Sequence, residues 1–166
     1  MNSQFLLEKL KASDEFKKFM KENKNAYLCS GFFVIDLENK ETGNQYHLDF
    51  FVPESKKTFS FELEKGVKLV PLERYEHALE KISDFEFDFD EIEKIISREM
   101  EFRRINNKIQ KMIFSLQNIK RKSMFLGTIF VSGFGMVKAE IDLKEKRITD
   151  FEKKSFWEML SIMRRE

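Results

Sequence analysis

In the sequence QYHLDFFVPESKKTFSFEL, residues 45–63, apolar and polar residues alternate on both sides of a turn, and this pattern is the strongest indication of the fold class. Every second residue from Tyr46 to Val52 is apolar, and the same period returns from Phe59 to Leu63. A period of two is typical of strands with one buried face. The Pro-Glu-Ser-Lys sequence between the two runs favours a turn. The stretch therefore predicts an antiparallel β-hairpin with one apolar face and one polar face.

Further apolar runs on both sides extend this hairpin into a sheet. A run rich in aromatic and β-branched residues, 26–37, precedes the hairpin and predicts a strand that joins it through a turn near Gly43. Three runs of similar character follow in the second half of the chain, at residues 124–131, 137–142 and 147–152. The sequence therefore predicts two antiparallel meanders of three strands each.

Three shorter segments have the apolar period of amphipathic helices. The first covers about residues 3–22, and Ser13 followed by two acidic residues indicates a second helix start within it. The second starts at Pro71, a residue that fits the first turn of a helix, and continues to Ile82. The third begins near Phe156 and ends the chain. These helices are expected to cover the apolar face of the sheet.

A longer central helix is predicted from about residue 90 to residue 120. Asp88 or Asp90 fits its N-cap, and the acidic residues that follow complement the positive end of the helix dipole. Apolar residues then follow a 3-4-3-4-3 spacing, which is the pattern of a coiled-coil seam. The seam favours either packing within the chain or a homodimer interface. Its residues are Phe102, Ile105, Ile109, Met112, Leu116 and Ile119.

Together these elements predict a single α+β domain over residues 1–166, with helices packed against an antiparallel sheet. Ser-Gly-Phe at residues 30–32 recurs at residues 132–134, and each copy belongs to a unit of one helix and three strands. This match raises the hypothesis of an internal duplication with halves 1–66 and 88–166.

Composition narrows the class of protein. A hydrophobic fraction of 42% beside a charged fraction of 36% is typical of globular domains. The single cysteine, Cys29, excludes an intrachain disulfide and a zinc site built from several cysteines. The first residues lack the basic start and apolar stretch of a secretory signal, and no run reaches the ~18 apolar residues of a membrane helix. We therefore expect a cytoplasmic protein with no membrane partner.

The sequence carries no familiar nucleotide-binding, zinc-protease, serine-hydrolase or calcium-loop motif. The acidic residues between 84 and 93 fit helix capping better than metal binding, so no metal and no cofactor are predicted. One polar group remains as a catalytic candidate. With a four-residue hairpin turn, His47 faces Glu62 and Asp49 faces Ser60 on the polar face. A carboxylate beside an imidazole suits acid–base chemistry, whereas the simpler interpretation is a solvated sheet face.

Charge is distributed unevenly along the chain. Residues 1–96 have a net charge of −6 and residues 97–166 a net charge of +7. These charges either attract partners or neutralise each other within the fold. Basic residues concentrate in the predicted helical segment 98–122 and raise the alternative of nucleic-acid binding. The candidate residues are Arg103, Arg104, Lys108, Lys111, Lys120, Arg121 and Lys122.

The sequence therefore favours a non-catalytic binding or assembly module that forms a homodimer. Nucleic-acid binding and an enzyme with its site on the outer face of the first hairpin are the alternatives. The 19 phenylalanines also suggest a cleft that takes a small hydrophobic ligand.

Overall fold

The computed structural model describes residues 1–72 and 79–164 of the chain. Within these ranges the chain forms four helices and eight strands. In chain order they are α1 (Ser3–Ala12), α2 (Asp14–Glu22), β1 (Tyr27–Asp36), β2 (Gln45–Val52), β3 (Lys57–Glu62), β4 (Lys68–Leu72), α3 (Phe89–Phe102), β5 (Ile109–Ile119), β6 (Lys122–Val131), β7 (Gly135–Asp142), β8 (Arg147–Ser155) and α4 (Phe156–Met163).

The strands form one antiparallel sheet with the order β4-β3-β2-β1-β5-β6-β7-β8. The N-terminal half of the sheet (β1–β4) extends to one side in chain order, and the C-terminal half (β5–β8) extends to the other. β1 and β5 pair at the centre, where Phe33 lies opposite Phe114. The α+β class with an antiparallel sheet is therefore confirmed. Each half contains four strands, whereas the sequence predicted three.

The long central helix from residue 90 to residue 120 is a wrong prediction. α3 ends at Phe102, and residues 109–119 form strand β5. Arg104 adopts a left-handed conformation with φ of 58°, which interrupts the helix. The apolar spacing led to the wrong prediction because, over a short run, it fits both the period of a helix and the period of a strand. Met112 and Leu116 each lie two residues from the buried Phe114, which is the alternation of a strand.

The helix predicted to start at Pro71 is also wrong, because Lys68–Leu72 is strand β4. β4 lies at the edge of the sheet, and an edge strand tolerates a proline that lacks a backbone N–H donor. Leu79 and Ile82 follow without helical structure, and the rest of this prediction falls on residues 73–78, outside the described residues.

The other helices were predicted correctly in type and place. Ser13 separates α1 from α2, and its hydroxyl oxygen accepts a hydrogen bond of 3.2 Å from the backbone N–H of Phe16. Asp88 caps α3 by accepting from the backbone N–H groups of Asp90 and Glu91. Each cap satisfies backbone donors that a helix start leaves open.

The inner face of the sheet, which the helices cover, is filled with phenylalanine rings. Two groups of rings share this core. Their neighbouring centroids lie 4.8–6.3 Å apart. At this spacing the rings contact one another directly, mostly in tilted or edge arrangements. The group under α1 and α2 is Phe16, Phe19, Phe50, Phe59 and Phe61, and the group under α3 is Phe33, Phe87, Phe89, Phe114 and Phe125.

The two Ser-Gly-Phe sequences occupy different positions in the fold. Residues 30–32 lie within β1, whereas residues 132–134 form the turn between β6 and β7. The turn needs Gly133, whose φ is 76°, while the glycine in β1 lies under the ring of Phe33. This sequence match is therefore not a structural equivalence, and the duplication stays a prediction.

Candidate functional site

The outer face of the sheet carries a group of solvent-exposed apolar side chains. Side chains alternate along a strand, so the neighbours of the buried Phe33, Phe114 and Phe125 point outward. Phe32 on β1 pairs with Ser115 on β5, and Ser115 pairs with Leu126 on β6. We call four exposed or half-buried apolar side chains on the outer face of these three central strands the apolar patch. They are Phe32, Ile113, Leu126 and Phe130.

The apolar patch remains open to solvent. Phe32 and Phe130 are each 38% exposed, and Ile113 and Leu126 are half-buried. The described helices that pack on the sheet do so through the inner face, where Phe89 of α3 meets the ring of Phe125 at 6.1 Å. Ser115 and Thr128 lie between these side chains in the register. A group of exposed apolar side chains on a sheet face is typical of interaction surfaces.

The outer face of the N-terminal half is different, because its centre is a buried polar cluster. The hydroxyl of Ser30 donates a hydrogen bond of 2.7 Å to Oδ2 of Asp49, and Ser60 faces Asp49 in the register. Asp49 is 5% exposed. Burial raises the pKa of Asp49, and the hydroxyls of Ser60 and Ser30 oppose this shift. Sequence reasoning placed Asp49 and Ser60 together correctly but missed Ser30, which only strand pairing between β1 and β2 brings there.

His47 faces Glu62 in the predicted register, yet its ion-pair partner is Glu64. Nε2 of His47 lies 3.0 Å from Oε1 of Glu64, and Oε1 also accepts a hydrogen bond from the backbone N–H of Tyr46. The imidazole ring contacts Phe32 in an edge arrangement at 5.9 Å. This geometry holds the imidazole against the apolar patch. Within the described residues, no hydroxyl or thiol forms a hydrogen bond with His47, so a nucleophile beside this base is missing there.

Cys29 is the single thiol and lies inside the protein. It is 1% exposed, and its Sγ donates to the backbone oxygen of Asp49 at 3.4 Å. Burial raises its pKa to about 11. A thiol with such a pKa stays protonated near neutral pH and is a poor nucleophile.

Two aspartates anchor hairpin turns in the same way. Oδ1 of Asp36 accepts from two backbone N–H groups of the turn after β1, and Oδ2 lies 3.0 Å from Nζ of Lys111. Oδ1 of Asp142 accepts from two backbone N–H groups of the turn after β7, and Oδ2 lies 2.9 Å from Nζ of Lys122. The repeated sequence Ile-Asp-Leu at residues 35–37 and 141–143 is the signal that sequence reasoning missed.

The surroundings of both turn aspartates, Asp36 and Asp142, favour the ionised carboxylate. The ammonium group of Lys111 and the backbone N–H of Asn39 lower the pKa of Asp36. Burial acts to raise the pKa of Asp142, but the backbone N–H of Glu145 and the ammonium group of Lys122 outweigh it, so that this pKa is lowered as well.

The residues of the predicted seam do not form one surface. Phe102 is 84% exposed at the end of α3, whereas Met112 and Leu116 are completely buried in the core. Ile109 is buried near the start of β5, Ile105 packs against the core from the preceding loop, and Ile119 is half-buried at the far end of β5. Placing this segment on a helix was the error. The seam predicted from the sequence consists of the end of α3, the loop that follows it and the core strand β5.

The predicted basic stripe is split between the two ends of β5. Arg103 pairs with Glu99 and lies 4.7 Å over the ring of Phe151. Arg104 and Lys108 lie in the loop before β5, and Lys111 lies near the start of β5. Lys120 and Arg121 form the turn after β5, and Lys122 begins β6. The strand that separates the two groups is about 35 Å long. These residues therefore do not form one continuous path for a nucleic-acid backbone.

The second basic group faces an acidic segment. A cleft of about 910 Å³ lies between the turns after β5 and β7 and the segment 83–86. Lys120, Arg121 and Lys144 line it together with Asp84 and Glu86. Close by, Nζ of Lys146 pairs with Oε1 of Glu91 at 3.0 Å. Charges of both signs thus meet at this end of the sheet.

Among the described residues, no three or more His, Cys, Asp or Glu side chains come close enough together to hold a metal ion. In the same residues, none of the helices combines the length and apolar character needed to span a membrane.

Comparison with known proteins gives information on the fold alone. No family model and no curated protein sequence matches the chain. A solved structure with a similar fold is that of a "putative lipoprotein" from Clostridium difficile 630, with a TM-score of 0.55 and 14% sequence identity. The match covers 85% of this chain and 91% of that chain. The chain is therefore similar to this protein in its α+β fold with an antiparallel sheet.

Proposed function

We propose that this protein is a non-catalytic binding module that forms a homodimer through the outer face of its sheet. The observation that carries the proposal is the apolar patch on the three central strands, where Phe32 and Phe130 are each 38% exposed. Burying apolar surface stabilises an association by roughly 25 cal/mol per Å². Aromatic side chains contribute most to such interfaces.

A second copy of the chain suits this surface because the surface is a sheet face. Two sheets pack face to face at about 10 Å, with their strands nearly aligned, and their inward side chains interdigitate. A dimer with two-fold symmetry uses the same residues on both copies, which only requires one self-complementary patch. Phe32 on β1 and Phe130 on β6 provide large side chains on either side of β5.

The polar groups of the described residues support a non-catalytic role. His47 pairs with Glu64, Asp49 is buried beneath hydroxyl groups, and Cys29 is inaccessible. His47 lines a shallow cleft of about 460 Å³ with Glu62 and Glu64, and no hydroxyl or thiol of the described residues forms a hydrogen bond with it there. Binding, rather than bond cleavage, is the activity that this surface suits.

The test replaces one exposed phenylalanine in the patch and one elsewhere by the same residue. Phe130→Glu places a charge in the proposed interface, whereas Phe5→Glu places it on α1, where Phe5 is 51% exposed. We expect Phe130→Glu to weaken the homodimer by about 30-fold or more, because an interface residue of this kind contributes at least about 2 kcal/mol. Sedimentation equilibrium measures the dissociation constant. Equal dissociation constants for both variants and the parent protein would contradict the proposal.

A further inference from the structure

We infer that the cleft between the turns after β5 and β7 binds a small molecule through a phosphate group. The cleft lies at one end of the sheet and belongs to a single chain, so the inference does not rest on the proposed homodimer. It starts from three cationic side chains that line the cleft, Lys120, Arg121 and Lys144.

The cleft has the size of a ligand site and is formed by fixed walls. Its volume of about 910 Å³ lies in the range of small-molecule pockets. The hydroxyl of Ser123 donates a hydrogen bond of 2.6 Å to the backbone oxygen of Asp84, which ties the segment 83–86 to β6. On the other side, the backbone N–H of Leu143 donates to the backbone oxygen of Ser123 at 3.1 Å. Both walls are therefore held in place before a ligand enters.

The cationic side chains around the cleft differ in whether they have an ionic partner. Nζ of Lys122 lies 2.9 Å from Oδ2 of Asp142, and Nζ of Lys146 lies 3.0 Å from Oε1 of Glu91. Like charges that share a cleft repel one another, and an anion bound between them removes this repulsion. Phosphate suits this role because ammonium and guanidinium groups both bind it. Among the described residues, no carboxylate pairs with the three remaining cations, Lys120, Arg121 and Lys144.

The turn that carries Lys120 and Arg121 has a conformation that neither residue favours. Ile119 pairs with Lys122, so the hairpin loop has two residues, and their φ angles are 50° and 65°. Such a loop is a type I′ turn, in which Asn-Gly is the preferred sequence because both residues are left-handed. A residue with a Cβ is less stable than glycine in this conformation. Two cations at these positions are therefore explained by a ligand better than by the fold.

The opposite wall of the cleft offers hydrogen-bond acceptors. Asp84 and Glu86 line it and form no ion pair within the described part of the chain. Beside them, Nδ2 of Asn118 donates to the backbone oxygen of Lys81 at 2.7 Å, while Oδ1 of Asn118 is buried and has no hydrogen-bond partner in the described residues. A buried acceptor without a donor is unfavourable, and a ligand hydroxyl supplies a donor. The ligand class that fits both walls is a phosphate ester of a polyol.

The acidic wall distinguishes this ligand class from a nucleic acid. A nucleic-acid backbone carries a phosphate at every step and is bound along a continuous cationic path. Asp84 and Glu86 interrupt such a path within the cleft. One phosphate group therefore fits between the cations, whereas a chain of phosphates meets the carboxylates.

The first test titrates inorganic phosphate and glycerol 3-phosphate into the full chain at constant ionic strength and follows the backbone N–H resonances by NMR. We expect saturable shifts confined to residues 118–123 and 142–146. We also expect tighter binding of glycerol 3-phosphate, because its hydroxyl groups reach the acidic wall. No saturable shift in these residues with either probe would overturn the inference. Equal affinities would overturn the role of the acidic wall, and tighter binding of an oligonucleotide would overturn the ligand class.

The second test compares two arginines in the same backbone conformation. Arg121 in the cleft has a φ of 65°, and Arg104 in the loop before β5 has a φ of 58°. We expect Arg121→Gln to weaken glycerol 3-phosphate binding about tenfold, because a charge-assisted hydrogen bond is lost, and Arg104→Gln to change it less than about twofold. Equal losses in both variants would indicate attraction by overall charge rather than a site, and would overturn the inference.

The third test separates binding from folding. Lys120→Asn combined with Arg121→Gly gives the hairpin the sequence that a type I′ turn prefers. We expect a higher melting temperature together with more than about tenfold weaker binding of glycerol 3-phosphate, because two charge-assisted hydrogen bonds are lost. Unchanged binding would overturn the inference. A monomeric mass would contradict the homodimer and leave this inference standing, since the cleft is complete in one chain.

Discussion

The two halves of the sheet resemble each other on the inner face and differ on the outer face. Inside, both halves contribute phenylalanine rings to one core that contacts the helices. Outside, the N-terminal half buries a hydrogen-bonded polar cluster around Asp49, whereas the central strands and the C-terminal half expose apolar side chains such as Phe130. Because folding constrains the inner faces of both halves in the same way, we expect the proposed binding surface on the outer face.

The difference also separates a polar cluster with its hydrogen bonds made within the chain from apolar side chains that are open to solvent. In the N-terminal half, Ser30 and Asp49 satisfy each other and need no partner from another molecule. In the C-terminal half, the exposed apolar side chains gain free energy only when another surface covers them. The comparison therefore locates the expected interface on the central strands β1, β5 and β6, beside the polar cluster.

The largest expected effect is a loss of stability on removing a buried ring, and it tests whether the inner faces of the two halves are equivalent. Phe61→Ala in the N-terminal half and Phe125→Ala in the C-terminal half each remove a completely buried ring. We expect each to lower the free energy of unfolding by about 3–5 kcal/mol, in a single transition, because the rings share one core. Urea denaturation followed by circular dichroism measures this. Phe5→Ala, at an exposed position, is the control and should cost less than about 0.5 kcal/mol.

Two separate transitions, or a loss below about 1 kcal/mol for one of the two rings, would show that the halves do not share a core. The comparison would then have to be drawn between two independent units.

The next effect concerns the turn anchor of the C-terminal half. Asp142→Ala leaves two backbone N–H groups without their acceptor and removes the nearer of the two carboxylates that pair with Lys122, which we expect to cost about 1–3 kcal/mol. Asp150→Ala, at an exposed position on β8, is the matched control. Thermal unfolding at neutral pH measures the difference, and equal stability of the two variants would contradict the role of Asp142.

The same anchor predicts an acid dependence. The pKa of Asp142 is lowered below its ordinary value of 3.8 in the folded state. Its stabilising contribution is therefore complete above about pH 3.8 and is lost as pH falls through the folded-state pKa. The stability difference between the parent protein and Asp142→Ala should shrink only in that acidic range. A difference that already declines between pH 7 and pH 5 would assign the effect to another group.

The smallest effect tests the polar cluster of the N-terminal half. The pKa of Asp49 is raised above 3.8 by burial, so its contribution to stability is present below that value and lost as pH rises through the folded-state pKa. Asp49→Asn keeps an oxygen that accepts from Ser30 and removes the titration. We expect Asp49→Asn to gain stability relative to the parent protein between about pH 3 and pH 7. A melting-temperature difference that is constant over this range would contradict the assignment.

Much of the sheet could be predicted from alternation alone. The hairpin of β2 and β3 has the predicted register, with Val52 opposite Lys57 and Asp49 opposite Ser60. This succeeds because its turn is short and one face is buried, so that a shift by one residue would expose every apolar side chain. The strands β6, β7 and β8 were also predicted for the same reason.

Strand β5 and strand β4 could not be predicted because local sequence supports two structures at each. The apolar residues of β5 satisfy a helical spacing and a strand spacing together, and the choice is made by pairing with β1 and β6. At β4, Pro71 fits a helix start as well as an edge strand, and the position at the edge is a property of the whole sheet.

The apolar patch was not predicted because strand β5 was assigned to a helix. Once residues 109–119 were placed on a helix, Ile113 counted as part of a broad helical stripe rather than as an outward side chain between Met112 and Phe114. The partners Phe32 and Leu126 lie far away in sequence and meet Ile113 only through the sheet. Long-range strand pairing was therefore the missing information.

The solution mass of the full chain, measured by light scattering at low and at high salt, shows whether the protein forms a homodimer through the apolar patch. An association through the apolar patch predicts a mass of twice 20.0 kDa that persists at high salt, because apolar contacts are not screened by ions. A mass of 20.0 kDa at both salt concentrations, up to the highest protein concentration used, would contradict the homodimer.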